Sequence, residues 1–112
     1  MKLLLGCVAL LTLGLTAPAA DLPGKKIYDN SCKRCHGPEG KGDRTADKFF
    51  QVTIPRLNSA YVQQKSDEQL KEIVTQGRRK MEPVKMGQPV ASHKLSPEQV
   101  DDVIAYVRTL KR

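Results

Sequence analysis

Apolar positions follow two different rhythms along this chain. From Leu3 to Leu15 they are almost continuous, after the short positive start Met1-Lys2 and before the small-residue stretch Thr16-Ala17-Pro18-Ala19-Ala20. Charged, apolar and small-residue regions in that order are the pattern of a secretory signal peptide. Cleavage requires small residues three and one positions before the cut. Ala17 and Ala19 meet that demand, which sets residues 1–19 as the leader and residues 20–112 as one mature domain. The apolar run of about 13 residues falls short of the roughly 20 that cross a bilayer, so an uncleaved anchor fits less well. Too little apolar sequence precedes Cys7 for a lipid-modified cysteine.

Beyond the leader the rhythm becomes helical. A first helix is predicted from Pro23 to Lys33, with Pro23 suited to the first turn and Ile27 and Tyr28 as apolar contacts. A second opens at Ser66, with Gln69 three residues on as a capping box. Leu70, Ile73 and Val74 share one face of it, and Gly77 is its natural stop. A third opens at Ser96 with Pro97 and Gln99. Val100, Val103, Ile104, Val107 and Leu110 then recur at helical spacing. Long Gly- and Pro-bearing connections run from Gly37 to about Lys65 and from Gly77 to Leu95, and no stretch alternates as a strand does. Irregular loops longer than about 12–15 residues are uncommon in compact domains, which suggests that these two wrap around something. The expected class is all-α.

Composition sharpens that expectation. A chain of 112 residues has room for one small domain, and with no Trp and 4% aromatic residues its core is thin. Domains of this size usually gain from a staple or a cofactor, and a large apolar prosthetic group would supply the missing interior. Cleavage of the leader removes Cys7, leaving Cys32 and Cys35 in an oxidising compartment where free thiols are at risk. The formal charge of +7 loses one unit with Lys2 and stays basic. That balance suits an acidic partner or an anionic surface. Nucleic acid is a poor candidate, because no stacking aromatics accompany the charges.

Cys32-Lys33-Arg34-Cys35-His36 matches the C-x-x-C-H pattern of covalent haem attachment. Two cysteines three apart on a helix can reach the two vinyl groups of one haem edge. The histidine directly after them then lies under the porphyrin, where its imidazole can bind iron. Two other chemistries use a C-x-x-C pair. A dithiol redox centre wants its first cysteine at a helix N-terminus. A zinc site would need further ligands, and the mature chain offers no further Cys and one further His, His93.

With these residues in view, the chain resembles the small c-type cytochromes that carry one His/Met-ligated haem, over nearly all of its mature length. Gly24, Tyr28 and Cys32 to Gly37 are similar to that family's first helix and attachment site. Pro55-Arg56-Leu57 resembles its Pro-x-Leu segment, Gly77 to Met81 its Gly-x-x-x-Met ligand loop, and Leu95 to Val107 its closing helix. The resemblance implies a cytochrome c fold: three main helices with long loops wrapped around one covalently bound haem c. It implies that the first and last helices cross, with Gly24 allowing close approach and Tyr28 meeting Tyr106. It also implies that Pro55 and Leu57 line the cofactor site, and that the Pro55 carbonyl accepts the other N–H of His36.

A sixth iron ligand has to come from the opposite side of the haem, and Met81, Met86, His93 and a lysine all compete. Met81 stands four residues after Gly77, as the family pattern expects, although Glu82 separates it from Pro83 where the family often has proline directly. Met86 is the alternative thioether. Methionine ligation would raise the reduction potential relative to two imidazoles, and a filled sixth position leaves no place for substrate. The expected function is therefore a periplasmic single-electron carrier without enzymatic activity, monomeric, working with redox partners that present acidic docking surfaces. Lys25, Lys26, Lys33 and Arg34, and Arg78, Arg79, Lys80 and Lys85, are the basic groups expected at the haem edge. A haem subunit of a larger oxidoreductase is the first alternative. A haem enzyme or gas sensor with an open sixth position, and a haemless dithiol protein, are the others.

Overall fold

Most of the helices begin where a side chain can satisfy their free N–H groups. The computed structural model describes residues 22–78 and 94–111, with residues 14, 81, 85 and 86 in addition. The rest of the leader, Arg79, Lys80, Glu82, Pro83 and His93 lie outside the described residues. Helix α1 (Pro23–Ser31) starts on a proline, which has no N–H to leave unsatisfied. At Cys32 the backbone leaves the helix, at φ −122° and ψ −35°, and α2 (Lys33–His36) starts at once. The single helix expected over Pro23 to Lys33 is thus divided at the first cysteine.

A 3-10 turn (Pro38–Gly40) leads to α3 (Arg44–Phe50). The Asp43 carboxylate caps α3 by accepting from the N–H groups of Thr45 and Ala46, at 2.8 and 3.1 Å. Next come α4 (Ala60–Gln63), capped by Ser59, and α5 (Asp67–Gln76). The last helix, α6 (Pro97–Thr109), and α5 each carry the expected capping box: Ser66 with Gln69, and Ser96 with Gln99. Such caps stabilise a helix by about 1 kcal/mol each. Two two-residue strands, β1 (Lys85–Met86) and β2 (Lys94–Leu95), pair in parallel, a small addition to an otherwise helical chain. The connection after Gly37, expected to be irregular, holds α3 and α4. With seven and four residues, they are too short for a repeating apolar face.

The core forms where α1 crosses α6. A methyl group added at Gly24 would overlap the Asp102 carbonyl, so the two backbones touch at this point. One turn later Tyr28 is fully buried, its ring 5.2 Å from that of Tyr106 and tilted by 51°. Val62, Leu70, Leu95, Val100, Val103, Ile104 and Val107 complete the cluster, with Ile27, Cys32, Leu57, Val74 and Leu110 half-buried against it. Polar bonds hold α4 and α5 to α6. Gln63 Nε2 donates to the carbonyls of Leu57 and Val107 at 2.8 and 2.9 Å. Arg108 reaches Asp67, Gln63 and Lys65, and Lys71 pairs with Asp101.

Gly24→Ala is expected to force α1 and α6 apart. Overpacking of this kind costs about 1–3 kcal/mol, and about 1 kcal/mol moves the melting midpoint of so small a domain by roughly 4–8 °C. An unchanged thermal midpoint would show that the helices do not abut at this residue.

Candidate cofactor site

The site grows from the break between α1 and α2. The Cys32 N–H closes α1 by donating to the Tyr28 carbonyl at 2.8 Å, and the Cys32 carbonyl opens α2 by accepting from Cys35 and His36 at 3.2 and 3.0 Å. Residues three and four apart on a helical turn lie on one side. This geometry therefore turns Cys32, Cys35 and His36 inward and leaves Lys33 and Arg34 exposed. The two cysteines form no disulfide with each other. Burial pushes the Cys32 thiol up to about 12, with a smaller push from neighbouring Cys35. A redox-active dithiol needs the opposite, a thiol lowered toward neutral pH. Among the described residues no three His, Cys, Asp or Glu side chains gather as a metal-ion site.

His36 ends α2 with its Nδ1 3.2 Å from the Pro55 carbonyl oxygen. A carbonyl can only accept, so the proton sits on Nδ1 and Nε2 keeps a free lone pair. Burial lowers the basicity of the ring, the Pro55 carbonyl partly offsets it, and the Arg56 charge adds to the lowering. Burial and the neighbouring charge thus favour the neutral imidazole, the form in which histidine binds a metal.

Surrounding loops are sewn to this histidine. The Tyr28 hydroxyl donates to the Gly37 carbonyl at 2.5 Å, and burial raises its pKa well above the usual range. Gly42 N–H donates to the His36 carbonyl at 2.7 Å, and Leu57 N–H donates to Gly40 at 2.9 Å. Cys32, Cys35 and His36 thus come together with Pro55 and Leu57 from two segments, joined through the 37–42 loop. Met81 is held on another element, in the turn after α5, where its backbone exchanges two hydrogen bonds with Arg78 at 2.8 and 3.1 Å. Its side chain is half-buried. The backbone of Met86 pairs with Leu95, and His93 lies outside the described residues.

The donor set fits haem c: two thiols one turn apart, a neutral imidazole with Nε2 unclaimed among the described residues, and a core with apolar side chains only half covered. Together the helical fold and this cluster define a c-type cytochrome. The family model for cytochrome c matches residues 22–111, and the chain belongs to that family. It is 31% identical over 107 residues to cytochrome c-555 of Methylococcus capsulatus, covering 95% of this chain and 75% of that protein. The solved KustC0563 c-type cytochrome superposes with a TM-score of 0.63 at 30% identity, covering 80% of this chain and 98% of that one. The protein is a haem-c electron carrier, its haem attached through the pair Cys32 and Cys35.

Residues not singled out from the sequence also shape the site. Asp47 and Arg56 form a close ion pair at 2.7 Å beside Pro55. That pairing holds the Asp47 carboxyl below its ordinary value of 3.8. A depressed carboxyl stabilises the fold fully above its unfolded pKa and loses that contribution as pH falls through its folded pKa. Acid unfolding below about pH 4 should therefore be shallower in Asp47→Asn than in the unaltered protein. Superimposable acid titrations would show that the pair contributes nothing.

Proposed function

We propose that residues 1–19 are removed on export and that residues 20–112 act in the periplasm as a monomeric carrier of single electrons, not as an enzyme. His36 and Met81 would hold the haem iron, with Met86 as the alternative to Met81. The observation that carries this reading is the setting of His36, tethered through Nδ1 to Pro55 and next to the two attachment cysteines. Haem c, when bound, supplies a reversible one-electron couple. The protein's part is to hold it. Cys32 and Cys35 anchor one edge, the Pro55 carbonyl sets the tautomer and basicity of His36, and Leu57 packs against the apolar face. A thioether from Met81 favours the reduced state over what a second imidazole would give.

Further support comes from the surroundings. Among the described residues no helix is long and apolar enough to cross a membrane. Lys26, Lys33, Arg34 and Arg78 are exposed and have no ion-pair partner among the described residues, whereas Lys25 is engaged by Asp29 at 2.6 Å. Unpaired cations near the attachment site suit a transient complex with an acidic redox partner, in which electrostatics speed encounter more than they prolong residence.

Spectroscopy of the haem-loaded protein tests the ligand. The oxidised protein should show the sulfur-to-iron charge-transfer band at the red end of the visible. Met81→Ala should abolish the band and lower the reduction potential, and Met86→Ala should leave both. The reverse pattern would transfer the role to Met86, and persistence of the band in both variants would end the thioether assignment. Charge reversal of Lys33 and Arg34 to glutamate should slow reduction by an acidic partner about tenfold at low salt, with the gap closing at high salt. Equal rates at low salt would remove this docking surface.

A further inference from the structure

Pro55 presents an oxygen to His36 but has no N–H of its own with which to be held. The direction of its carbonyl must be set by its neighbours, and Asp47 organises all of them. The Asp47 main-chain carbonyl accepts from Val52 N–H at 3.1 Å. Its carboxylate Oδ1 accepts from Ile54 N–H at 2.9 Å and from Arg56 Nη1 at 3.2 Å, and Oδ2 accepts from Arg56 Nη2 at 2.7 Å. Arg56 Nη1 also donates to the Ile54 carbonyl at 3.1 Å. One carboxylate thus gathers the residue before Pro55 and the residue after it.

The guanidinium is confined from the other side as well. It lies directly over Gly42, where a Cβ would collide with it, and Gly42 sits at φ +96°, a conformation that favours glycine. Gly42 N–H in turn holds the His36 carbonyl. The same guanidinium therefore touches both loops that meet at His36: the 37–42 loop, which follows it in sequence, and the 51–56 turn, which supplies its hydrogen-bond acceptor. Ile54, 8% exposed, anchors the turn to the interior.

We propose that Asp47 and Arg56 are positioning residues that clamp the Pro55 carbonyl onto His36 Nδ1, and that through this bond they tune the electron donation of His36 to haem iron. The inference rests on His36 being the ligand, as proposed above. A firm Nδ1–H···O bond makes the imidazole a more basic ligand, which favours oxidised iron. Loosening the clamp then favours the reduced state.

Substitutions must separate position from charge, because removing the arginine charge alone pushes the potential the other way. Arg56→Lys keeps the charge and loses the two-pronged fork. The pair Asp47→Asn/Arg56→Gln removes both charges and leaves the net charge unchanged. Arg108→Gln, which frees an arginine that bonds Asp67, Gln63 and Lys65, is the control for general loosening.

In the reduced, haem-loaded protein, both clamp variants should exchange the His36 Nδ1 proton at least about tenfold faster by NMR, as local protection is lost. Their equilibrium with a redox mediator should move toward the reduced protein by about three- to tenfold, where tenfold equals about 59 mV for one electron. Arg108→Gln should lower the melting midpoint without either change. If the clamp variants stay within twofold of the unaltered protein on both readouts, or match Arg108→Gln, the pair is a structural staple and the proposal falls. Should they fail to mature, Asp47→Asn alone keeps an acceptor for Ile54 N–H, and unchanged Nδ1 exchange in that variant overturns the clamp equally. A low-spin spectrum that survives His36→Ala would instead sink the ligand assignment, a result distinguishable from all of these.

Discussion

The contact between α1 and α6 is the constraint on which the rest of the molecule depends. It joins the two ends of the described chain, and it tolerates no side chain at Gly24 because the Asp102 carbonyl occupies that space. Tyr28 makes the contact consequential for function. Its ring packs on Tyr106 in the crossing, while its hydroxyl reaches the carbonyl of Gly37, the residue directly after His36. A buried hydroxyl must find a partner, and here the partner is the end of the attachment segment. Helix packing and the placement of the histidine are therefore one problem solved by one side chain.

Cys32 belongs to both parts as well. It packs against the apolar cluster and also forms the joint between α1 and α2. Burial pushes the Cys32 thiol up, away from the thiolate form that attacks disulfides. That disfavours dithiol chemistry and leaves the sulfur for the thioether to haem. The thin aromatic content has the same explanation. Half-covered Ile27, Leu57, Val74 and Leu110 border the buried cluster, and a bound macrocycle supplies apolar area that a domain of this size cannot supply from its own side chains.

Much of this was legible in the sequence, and the exceptions have physical causes. The Ser66/Gln69 and Ser96/Gln99 capping boxes are local signals, decided within four residues, and both hold in the structure. The Gly24 approach, the Tyr28–Tyr106 contact and the His36–Pro55 bond were implied by family resemblance, and each has its counterpart in the geometry. The break at Cys32 was not legible, because nothing in Asn30-Ser31-Cys32-Lys33 forbids a continuous helix; the rotation at Cys32 is set by tertiary packing. Helix α3 escaped notice although Asp43 is a good N-cap residue, since its apolar residues Ala46, Phe49 and Phe50 do not repeat long enough to declare a period. The Asp47–Arg56 pair was invisible for a different reason: opposite charges nine apart have no fixed relation until the intervening turn is known.

The positive charge of the chain is also less uniform than its total suggests. Lys25, Lys41, Lys71, Arg56 and Arg108 each face a carboxylate. Exposed pairs of this kind stabilise the fold by at most about 1 kcal/mol, yet each cancels a charge that would otherwise contribute to the long-range field. Among the described residues the uncancelled cations then dominate that field, and Lys33 and Arg34 are among them for a geometric reason. If the cysteines and the histidine of a C-x-x-C-H turn face inward, the two intervening residues must face outward, at the mouth of the site. Basic residues there place exposed positive charge beside the attachment site without burying it, so surface charge and attachment chemistry occupy the same five residues.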